Sequence, residues 1–212
     1  TFSGSGVTSG IFSPGIGAGI YPMTYTYSHP LTGCQADTTL GLTVHALPVV
    51  TAPSLPPLCA DASAVILPAG NPSGGTWQGT GVTGNAFTPP GAGSFALTYR
   101  YQDPQTGCDD VTFAVQVVHA LPAVTLDTLY QACEGAPAVL LEGGMPAGGT
   151  YSGSYVSSGL FFPSLPGQYA LTYAFQDPVT QCAASDQSMV NVHPLPQVNL
   201  SSLPSHCVSD PP

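Results

Sequence analysis

The side chains of this sequence that could do chemistry recur at one fixed spacing. Cysteines and histidines repeat every 74 residues in three sets, which are Cys34, Cys108 and Cys182; Cys59, Cys133 and Cys207; and His45, His119 and His193. Six regularly placed cysteines without CxxC pairs indicate disulfides in an oxidising compartment. The period predicts the bonds Cys59–Cys108 and Cys133–Cys182, each closing a separation of 49 residues and each stabilising the fold by about 4 kcal/mol. The alternative is that these cysteines are free, buried thiols.

Other candidate sites are weaker. Asp103, Asp109 and Asp110 surround one turn and could hold Ca²⁺, but Ala183 and Ala184 replace two of them in the next repeat, which favours a solvated loop. The three histidines lie one per joint, so packing is favoured over a metal site. No phosphate-binding loop precedes a helix, and no Ser/His/Asp set follows a nucleophile elbow. We expect no catalytic residues, no metal and no cofactor, and hence a protein that is not an enzyme.

The charge balance restricts the possible partners. The 212 residues contain one basic side chain, Arg100, against 11 acidic ones, for a net charge of −10. Nucleic acids and anionic membrane surfaces attract clustered Lys and Arg, so neither is an expected partner. No run of about 18 apolar residues is present, so we expect no membrane insertion. Gly and Pro number 25 and 23, but 43% hydrophobic content and ordered repeats argue against disorder.

The repeat unit is organised around a glycine-rich strand motif. Gly-Gly-Thr-Trp-Gln-Gly-Thr-Gly-Val occupies residues 74–82, a variant occupies 150–156, and another opens the chain at 1–7. Self-similarity at a fixed period predicts a repeat architecture. Short runs of Thr, Val, Tyr, Phe and Leu between Gly/Pro turns predict strands rather than helices. The expected fold class is all-β, with tandem small Ig-like β-sandwich domains of about 74 residues in a linear rod.

Alternation of large and small side chains predicts which faces are buried. Residues 95–101 alternate cleanly, as a half-buried strand does. In residues 111–118 both alternating sets contain valine, and comparison with the other repeats favours Val118 facing inward. We expect Trp77 to fill the core with Tyr99 beside it, and the counterparts of both residues to do the same in the other repeats.

The period divides the chain into four parts. Residues 1–47 are an incomplete first β-sandwich repeat that lacks its first two strands, 48–121 and 122–195 are complete repeats, and 196–212 are a tail supplying the first strand and cysteine of a next repeat. Proline-containing segments at the joints predict semi-rigid linkers. Because the sequence opens in the middle of a repeat, we expect a processed or excised piece of something larger.

The two ends of the sequence are complementary. The tail residues Val198, Leu200 and Cys207 correspond to the first strand and cysteine that the first repeat lacks. One interpretation is a discrete subunit whose tail adds a strand to the first repeat of its neighbour, with a Cys34–Cys207 bond between neighbouring subunits. A second interpretation is one stretch of a very long repeat polypeptide. A third is a boundary without meaning.

Several motifs together resemble a known kind of repeat. They are Pro-x-Gly-Gly-Thr-(Trp/Tyr)-x-Gly at 72–79 and 146–153, Phe-x-Pro at 12–14, 87–89 and 161–163, Leu-Thr-Tyr-x-(Tyr/Phe) at 97–101 and 171–175, Thr-Gly-Cys at 32–34 and 106–108, and Val-His-Ala-Leu-Pro at 44–48 and 118–122. In combination they resemble the tandem Ig-like or PKD-like repeats of large secreted Bacteroidota proteins, many of which are exported by the type IX system. The resemblance implies a surface or extracellular location and a stalk or spacer role.

The resemblance also implies covalent glycans as partners. Members of that lineage glycosylate Ser or Thr after Asp, and the matching Asp-Thr pairs make Thr38 and Thr128 candidate sites. Asn199 begins an N-glycosylation sequon and is a third candidate. The alternative at each threonine is an ordinary turn capped by the preceding aspartate.

These features predict a structural protein. We expect a subunit or segment of an extracellular filament, a homopolymer assembled head to tail in which the C-terminal tail completes the neighbour's N-terminal domain. The alternative is an adhesin stalk, or a carbohydrate- or surface-binding repeat protein. In that case exposed loop aromatics such as Tyr21, Tyr130 and Tyr155 would be the recognition groups.

Overall fold

The structure is a computed structural model that describes residues 1–127, 130–202 and 208. These residues form 21 β-strands and one 3₁₀ turn. Their packing divides them into two compact units, with the division between Ala120 and Leu121. The all-β class is confirmed, and each complete repeat contains a four-stranded and a three-stranded sheet, as in a small Ig-like sandwich.

The first repeat, residues 1–47, contains one larger sheet and one hairpin. Its elements are β1 (Phe2–Gly4), β2 (Val7–Thr8), β3 (Ile11–Phe12), the 3₁₀ turn Pro14–Ile16, β4 (Gly19–Ser28) and β5 (Gln35–Val44). β4 lies between β1 and β5 in an antiparallel sheet, with Tyr25 opposite both Phe2 and Thr38. β2 and β3 form the hairpin. Among the described residues, no strand lies along the outer edge of β5.

The middle repeat, residues 48–121, is a complete sandwich. Its strands are β6 (Leu58–Cys59), β7 (Val65–Ile66), β8 (Thr76–Gln78), β9 (Val82–Thr83), β10 (Ala86–Phe87), β11 (Gly93–Gln102) and β12 (Asp109–His119). One sheet has the order β6-β12-β11-β8 and the other β7-β10-β9. β6 runs parallel to β12 and places Cys59 opposite His119. The middle repeat therefore carries, along β12, the strand that the first repeat lacks along β5.

The third repeat, residues 122–195, has the same plan. Its strands are β13 (Thr125–Leu126), β14 (Tyr130–Cys133), β15 (Val139–Leu140), β16 (Gly144–Met145), β17 (Thr150–Gly153), β18 (Val156–Ser157), β19 (Leu160–Phe161), β20 (Gly167–Gln176) and β21 (Ala183–His193). The four-stranded sheet has the order β14-β21-β20-β17. β14 runs parallel to β21 over four residues and places Cys133 opposite His193.

A pair of aromatic rings fills the centre of each sandwich, as predicted. Trp77 and Tyr99 have ring centroids 5.2 Å apart, and Tyr151 and Tyr173 have theirs 4.7 Å apart. The Tyr99 hydroxyl donates to the Pro72 carbonyl at 2.9 Å and accepts from the Gly75 amide at 2.8 Å. These bonds satisfy the polar end of a ring that is otherwise buried among apolar side chains.

The predicted register of the closing strand is confirmed. Val118 is buried in the middle repeat, as is Gln116 two residues earlier, whereas Val117 and Val115 are exposed. The buried Gln116 amide donates to the Pro56 carbonyl at 2.8 Å, which removes the cost of burying a polar group at that position. The inward-facing set of β12 residues therefore includes Val118. Its counterpart in the first repeat, Val44, lies on the same side of β5 as Leu42.

Gly75 is required by the close approach of the Tyr99 ring. A Cβ at this position would lie 2.5 Å from both the Arg100 carbonyl oxygen and the Tyr99 Cζ. Gly75→Ala is therefore expected to destabilise the middle repeat by about 1–3 kcal/mol, as overpacked cores do. Gly15→Ala is the matched control, because its nearest atom would be 3.8 Å away. Hydrogen exchange in peptides of 48–121 should separate the two variants, and equal protection there would contradict the prediction.

Candidate assembly face of the first repeat

The first repeat presents an uncovered apolar concavity on the inner side of its sheet. Its lining side chains, which we call the open face, are Phe2, Met23, Tyr25, Thr38, Leu40 and Leu42, with Phe12 at one end. They come from β1, β4 and β5, and strand alternation places Thr38, Leu40 and Leu42 on one side of β5. The register explains why Phe2 and Tyr25 meet, with ring centroids 4.9 Å apart.

The aromatic positions of the open face are buried in the middle repeat. Phe2 is 54% exposed and Tyr25 is 40% exposed, whereas their counterparts Trp77 and Tyr99 are 3% and 1% exposed. Leu40 on β5 is 78% exposed. Contiguous apolar exposure of this kind marks an interaction surface in a soluble protein. The open face is thus a sandwich core without its second layer.

In the complete repeats, a segment before the glycine-rich motif supplies that layer. In the middle repeat Val50, Ala52, Leu55 and Leu58 pack against the core that contains Trp77. In the third repeat the corresponding core contains Leu126, which is 4% exposed. The tail of the chain repeats this segment one period later.

The tail carries the corresponding side chains without a core to bury them. Val198 and Leu200 correspond to Val124 and Leu126 of the third repeat, yet they are 86% and 83% exposed. Val124 packs against the third-repeat core. The assembly-tail prediction therefore identifies side chains that are core residues wherever the repeat is complete. Cys207, the third tail residue predicted, lies outside the described residues.

The outer edge of β5 matches an edge that is paired in both complete repeats. In the middle repeat β6 occupies the edge at Val118 and His119, and in the third repeat β14 occupies the edge from Val190 to His193. The equivalent stretch of the first repeat is residues 42–45. A sheet edge with free amides and carbonyls is a template for strand addition.

The predicted glycosylation site Thr38 faces the same concavity. Thr38 lines the open face, and its third-repeat counterpart Asp186 accepts a hydrogen bond from the Leu126 amide at 2.9 Å. A glycan on Thr38 and a strand covering the open face therefore exclude one another sterically. Asn199 is exposed in the tail, and Thr128 lies outside the described residues.

The structure contradicts the predicted bonds within repeats, Cys59–Cys108 and Cys133–Cys182. Cys108 and Cys133 are free thiols, whereas Cys59 and Cys182 each belong to a disulfide. The register gives the reason. Cys59 lies opposite His119 at the end of β12, and Cys108 precedes the first residue of that 11-residue strand. The two cysteines are therefore about 36 Å apart at ~3.3 Å per residue, against the ~6 Å between Cα atoms that a disulfide needs.

The same register argument separates Cys133 from Cys182. Cys133 lies opposite His193 at the end of β21, and Cys182 precedes the first residue of that strand. Cys34 is a free, exposed thiol in the described chain. The predicted bond from Cys34 to Cys207 of a neighbour is not tested, since Cys207 lies outside the described residues.

The acidic turn of the middle repeat is occupied by internal contacts. Asp109 pairs with Arg100 at 2.8 Å, and an Asp103 oxygen accepts from the Gln105 amide at 2.8 Å. That amide holds the pKa of Asp103 below its usual value. Asp110 accepts from the Val111 amide. Over the described ranges, no group of three or more His, Cys, Asp or Glu side chains could hold a metal ion.

The aromatic residues considered for ligand recognition make contacts inside their own repeats. The Tyr21 hydroxyl donates to the Gly17 carbonyl at 3.1 Å, and the Tyr130 hydroxyl donates to the Glu142 carbonyl at 2.8 Å. Tyr155 packs edge-on against Tyr169 at 5.1 Å. Burial, followed by the neighbouring Tyr155, raises the pKa of Tyr169. In the described chain, these three rings therefore stabilise their own repeats.

Comparison with known proteins gives distant likenesses to solved structures of tandem immunoglobulin domains. No family model and no curated protein matches the chain. Immunoglobulin domains 1–5 of Sidekick-1 are similar at 13% identity and a TM-score of 0.28, over 86% of this chain and 48% of that one. Extracellular domains 3–5 of Drosophila OTK are similar at 12% identity and a TM-score of 0.28, over 84% and 72%. The chain spans about half the length of the Sidekick-1 structure.

These likenesses are too weak to indicate a function, and the Ig-like class follows from the strand order itself. In the part of the chain that the structure describes, no helix has the length and apolar character needed to cross a membrane.

Proposed function

We propose that this chain is the subunit of an extracellular filament in which the tail of one copy completes the first repeat of the next copy. The observation that supports this is the correspondence between the open face and the tail. The first repeat exposes core positions that a segment covers in both complete repeats. The tail carries that segment with its core side chains exposed.

The register of the complete repeats specifies how the tail would bind. The tail takes the place of the segment that begins with β13, so Val198 and Leu200 enter the open face as Val124 and Leu126 enter their core. The Thr38 hydroxyl then accepts from the Leu200 amide, as Asp186 does from the Leu126 amide. The remainder of the tail adds to the edge of β5 in parallel, as β14 does along β21.

Such a contact is heterologous, because the donor and the acceptor surfaces differ. Copies joined this way form an open filament unless the rotation between them closes a ring. The occupant of the open face is thus a second copy of this chain. Extracellular location, Bacteroidota origin and type IX export belong to the same proposal and depend on the sequence resemblance alone, as do covalent glycans. The protein is not an enzyme in this proposal and needs no cofactor.

A competition experiment tests the proposal. The purified chain, kept reduced so that only non-covalent contacts act, is expected to form filaments visible by negative-stain electron microscopy and by light scattering. A synthetic peptide of residues 195–212, added in excess, should occupy open faces and shorten the filaments. The control peptide carries Asp in place of Val198 and Leu200 and should have no effect. A chain that stays monomeric at high concentration would overturn the proposal and favour one continuous repeat polypeptide.

A further inference from the structure

We propose that disulfides join neighbouring copies of this chain by one rule, in which the first cysteine of a repeat bonds to the second cysteine of the repeat that follows it across the junction between copies. The first cysteines are Cys59, Cys133 and Cys207, and the second cysteines are Cys34, Cys108 and Cys182. Applied to the filament, the rule bonds Cys133 of one copy to Cys34 of the next copy. This inter-copy bond rests on the proposed function.

The first cysteine of each complete repeat lies where the chain leaves that repeat. Cys59 is opposite His119, and the next amide, that of Ala60, donates to the His119 carbonyl at 2.9 Å. Cys133 is opposite His193, and the Glu134 amide donates to the His193 carbonyl at 2.8 Å. The two repeats thus place the cysteine at the same point beside the exit histidine.

The second cysteine lies at the opposite end of its own repeat, against the repeat before it. Cys108 lines one cavity together with Val44, His45 and Leu47, which form the exit of the first repeat. The second cysteine of the middle repeat is therefore beside the exit histidine of the first repeat.

The first-cysteine position of one repeat and the second-cysteine position of the following repeat therefore meet where the two repeats join. A strand that completes the first repeat as β6 completes the middle repeat would put its cysteine opposite His45, and Cys108 already lies there. The same joint after the third repeat brings Cys34 of the next copy to Cys133. Both of these thiols are exposed and free in the described chain, so they are accessible for reaction.

The rule assigns Cys133 to Cys34 of the next copy and, by sequence spacing alone, Cys207 to Cys108 of the next copy. It therefore replaces the earlier Cys34–Cys207 prediction. Each joint between copies would carry two covalent bonds, one on each side of the completed repeat.

The bonds form by thiol–disulfide exchange with a small disulfide or a disulfide oxidoreductase. The Cys133 thiolate attacks one sulfur of the donor disulfide and releases one donor thiol. The Cys34 thiolate then attacks the mixed disulfide and releases the second donor thiol. The two cysteines lose two electrons in total, and the donor disulfide gains them as it is reduced to two thiols.

A mixed-isotope peptide map tests the rule on the full chain. Normal and heavy-labelled chains are reduced, mixed, allowed to assemble and oxidised with glutathione disulfide, then alkylated in acid and digested with pepsin. The Cys34–Cys133 peptide is expected in mixed-label form as often as random pairing requires. A Cys34–Cys133 peptide found only in single-label form, or any Cys59–Cys108 or Cys133–Cys182 peptide, would overturn the rule.

Two serine variants and one prior measurement complete the test. Cys133→Ser should remove the disulfide-linked peptide that contains Cys34, whereas Cys59→Ser should leave that peptide in place. Filament formation under reducing conditions is measured first by electron microscopy. Filaments that give no mixed-label peptide overturn the disulfide rule alone, whereas the absence of filaments overturns the proposed function and the inter-copy bonds together.

Discussion

Replacing Val198 and Leu200 together by aspartate is expected to leave the chain folded and to abolish its filaments. Each side chain loses the burial that its counterpart has in the third repeat, which is about 1.5–3 kcal/mol for an aliphatic residue. Together the losses weaken each contact by roughly 10²–10⁴-fold. Light scattering measures the change, and circular dichroism should show unchanged strand content. Phe113→Asp with Val115→Asp is the matched control, because it adds the same two charges at exposed apolar positions of the middle repeat.

A mixing experiment makes this prediction specific to a head-to-tail contact. Leu40→Asp with Leu42→Asp disrupts the open face and leaves the tail unchanged. The tail variant, with aspartate at 198 and 200, leaves the open face unchanged. Each double variant should be monomeric alone. Their equimolar mixture should stop at dimers, because only one donor–acceptor pair is functional in it. Longer polymers from the mixture, or dimers from either variant alone, would show that other surfaces join the copies.

Trp77→Ala is expected to cost the middle repeat about 3–5 kcal/mol, whereas Phe2→Ala should cost an unassembled chain little. Trp77 is buried, contacts Tyr99 and donates its indole N–H to the Pro68 carbonyl at 2.8 Å, so truncation leaves a cavity and an unpaired carbonyl. Phe2 occupies the same repeat position but is about half exposed. In filaments, Phe2→Ala should weaken assembly by roughly 10–100-fold, because the ring is buried only there.

Hydrogen exchange followed by peptide mass spectrometry is the suitable measurement, because a chain with several domains does not unfold in one two-state step. Protection should fall in peptides of 48–121 for Trp77→Ala. When Phe2→Ala is combined with the two tail aspartates, which prevent assembly, protection from exchange should stay unchanged throughout the chain. Loss of protection in residues 1–47 of that unassembled variant would show that the first repeat already has a closed core.

Much of the fold could be predicted from alternation and period. The apolar counterparts of Val118 in the other repeats predict its inward orientation, and the fixed repeat positions of Trp77 and Tyr99 predict their pairing. Alternation could also have placed Thr38 on the open face, since it has the same parity along β5 as Leu40. The Asp-Thr motif predicts glycosylation of Thr38, but it does not indicate which side of β5 the threonine faces.

The disulfide pairing could not be derived from the period, because separation along the chain does not give distance. Cys59 and Cys108 are 49 residues apart in sequence, but β11 carries the chain to the other end of the sheet, so Cys108 lies at the far end of β12 from Cys59. Only the parallel register of β6 with β12 shows which end each cysteine occupies. Very short strands such as β6 are set by tertiary packing, and composition gives almost no signal for them.

The parallel pairing of β14 with β21 determines how a repeat would respond to a pull. The chain enters the third repeat before β14 and leaves after β21, and the two strands point in the same direction. A force pulling these ends apart acts along the strands and across their hydrogen bonds, so the strands must slide past each other. All four paired residues resist together, whereas an end-on pull on an antiparallel hairpin breaks one bond at a time. A tail seated on β5 in the same register would give the junction between copies the same resistance to shear.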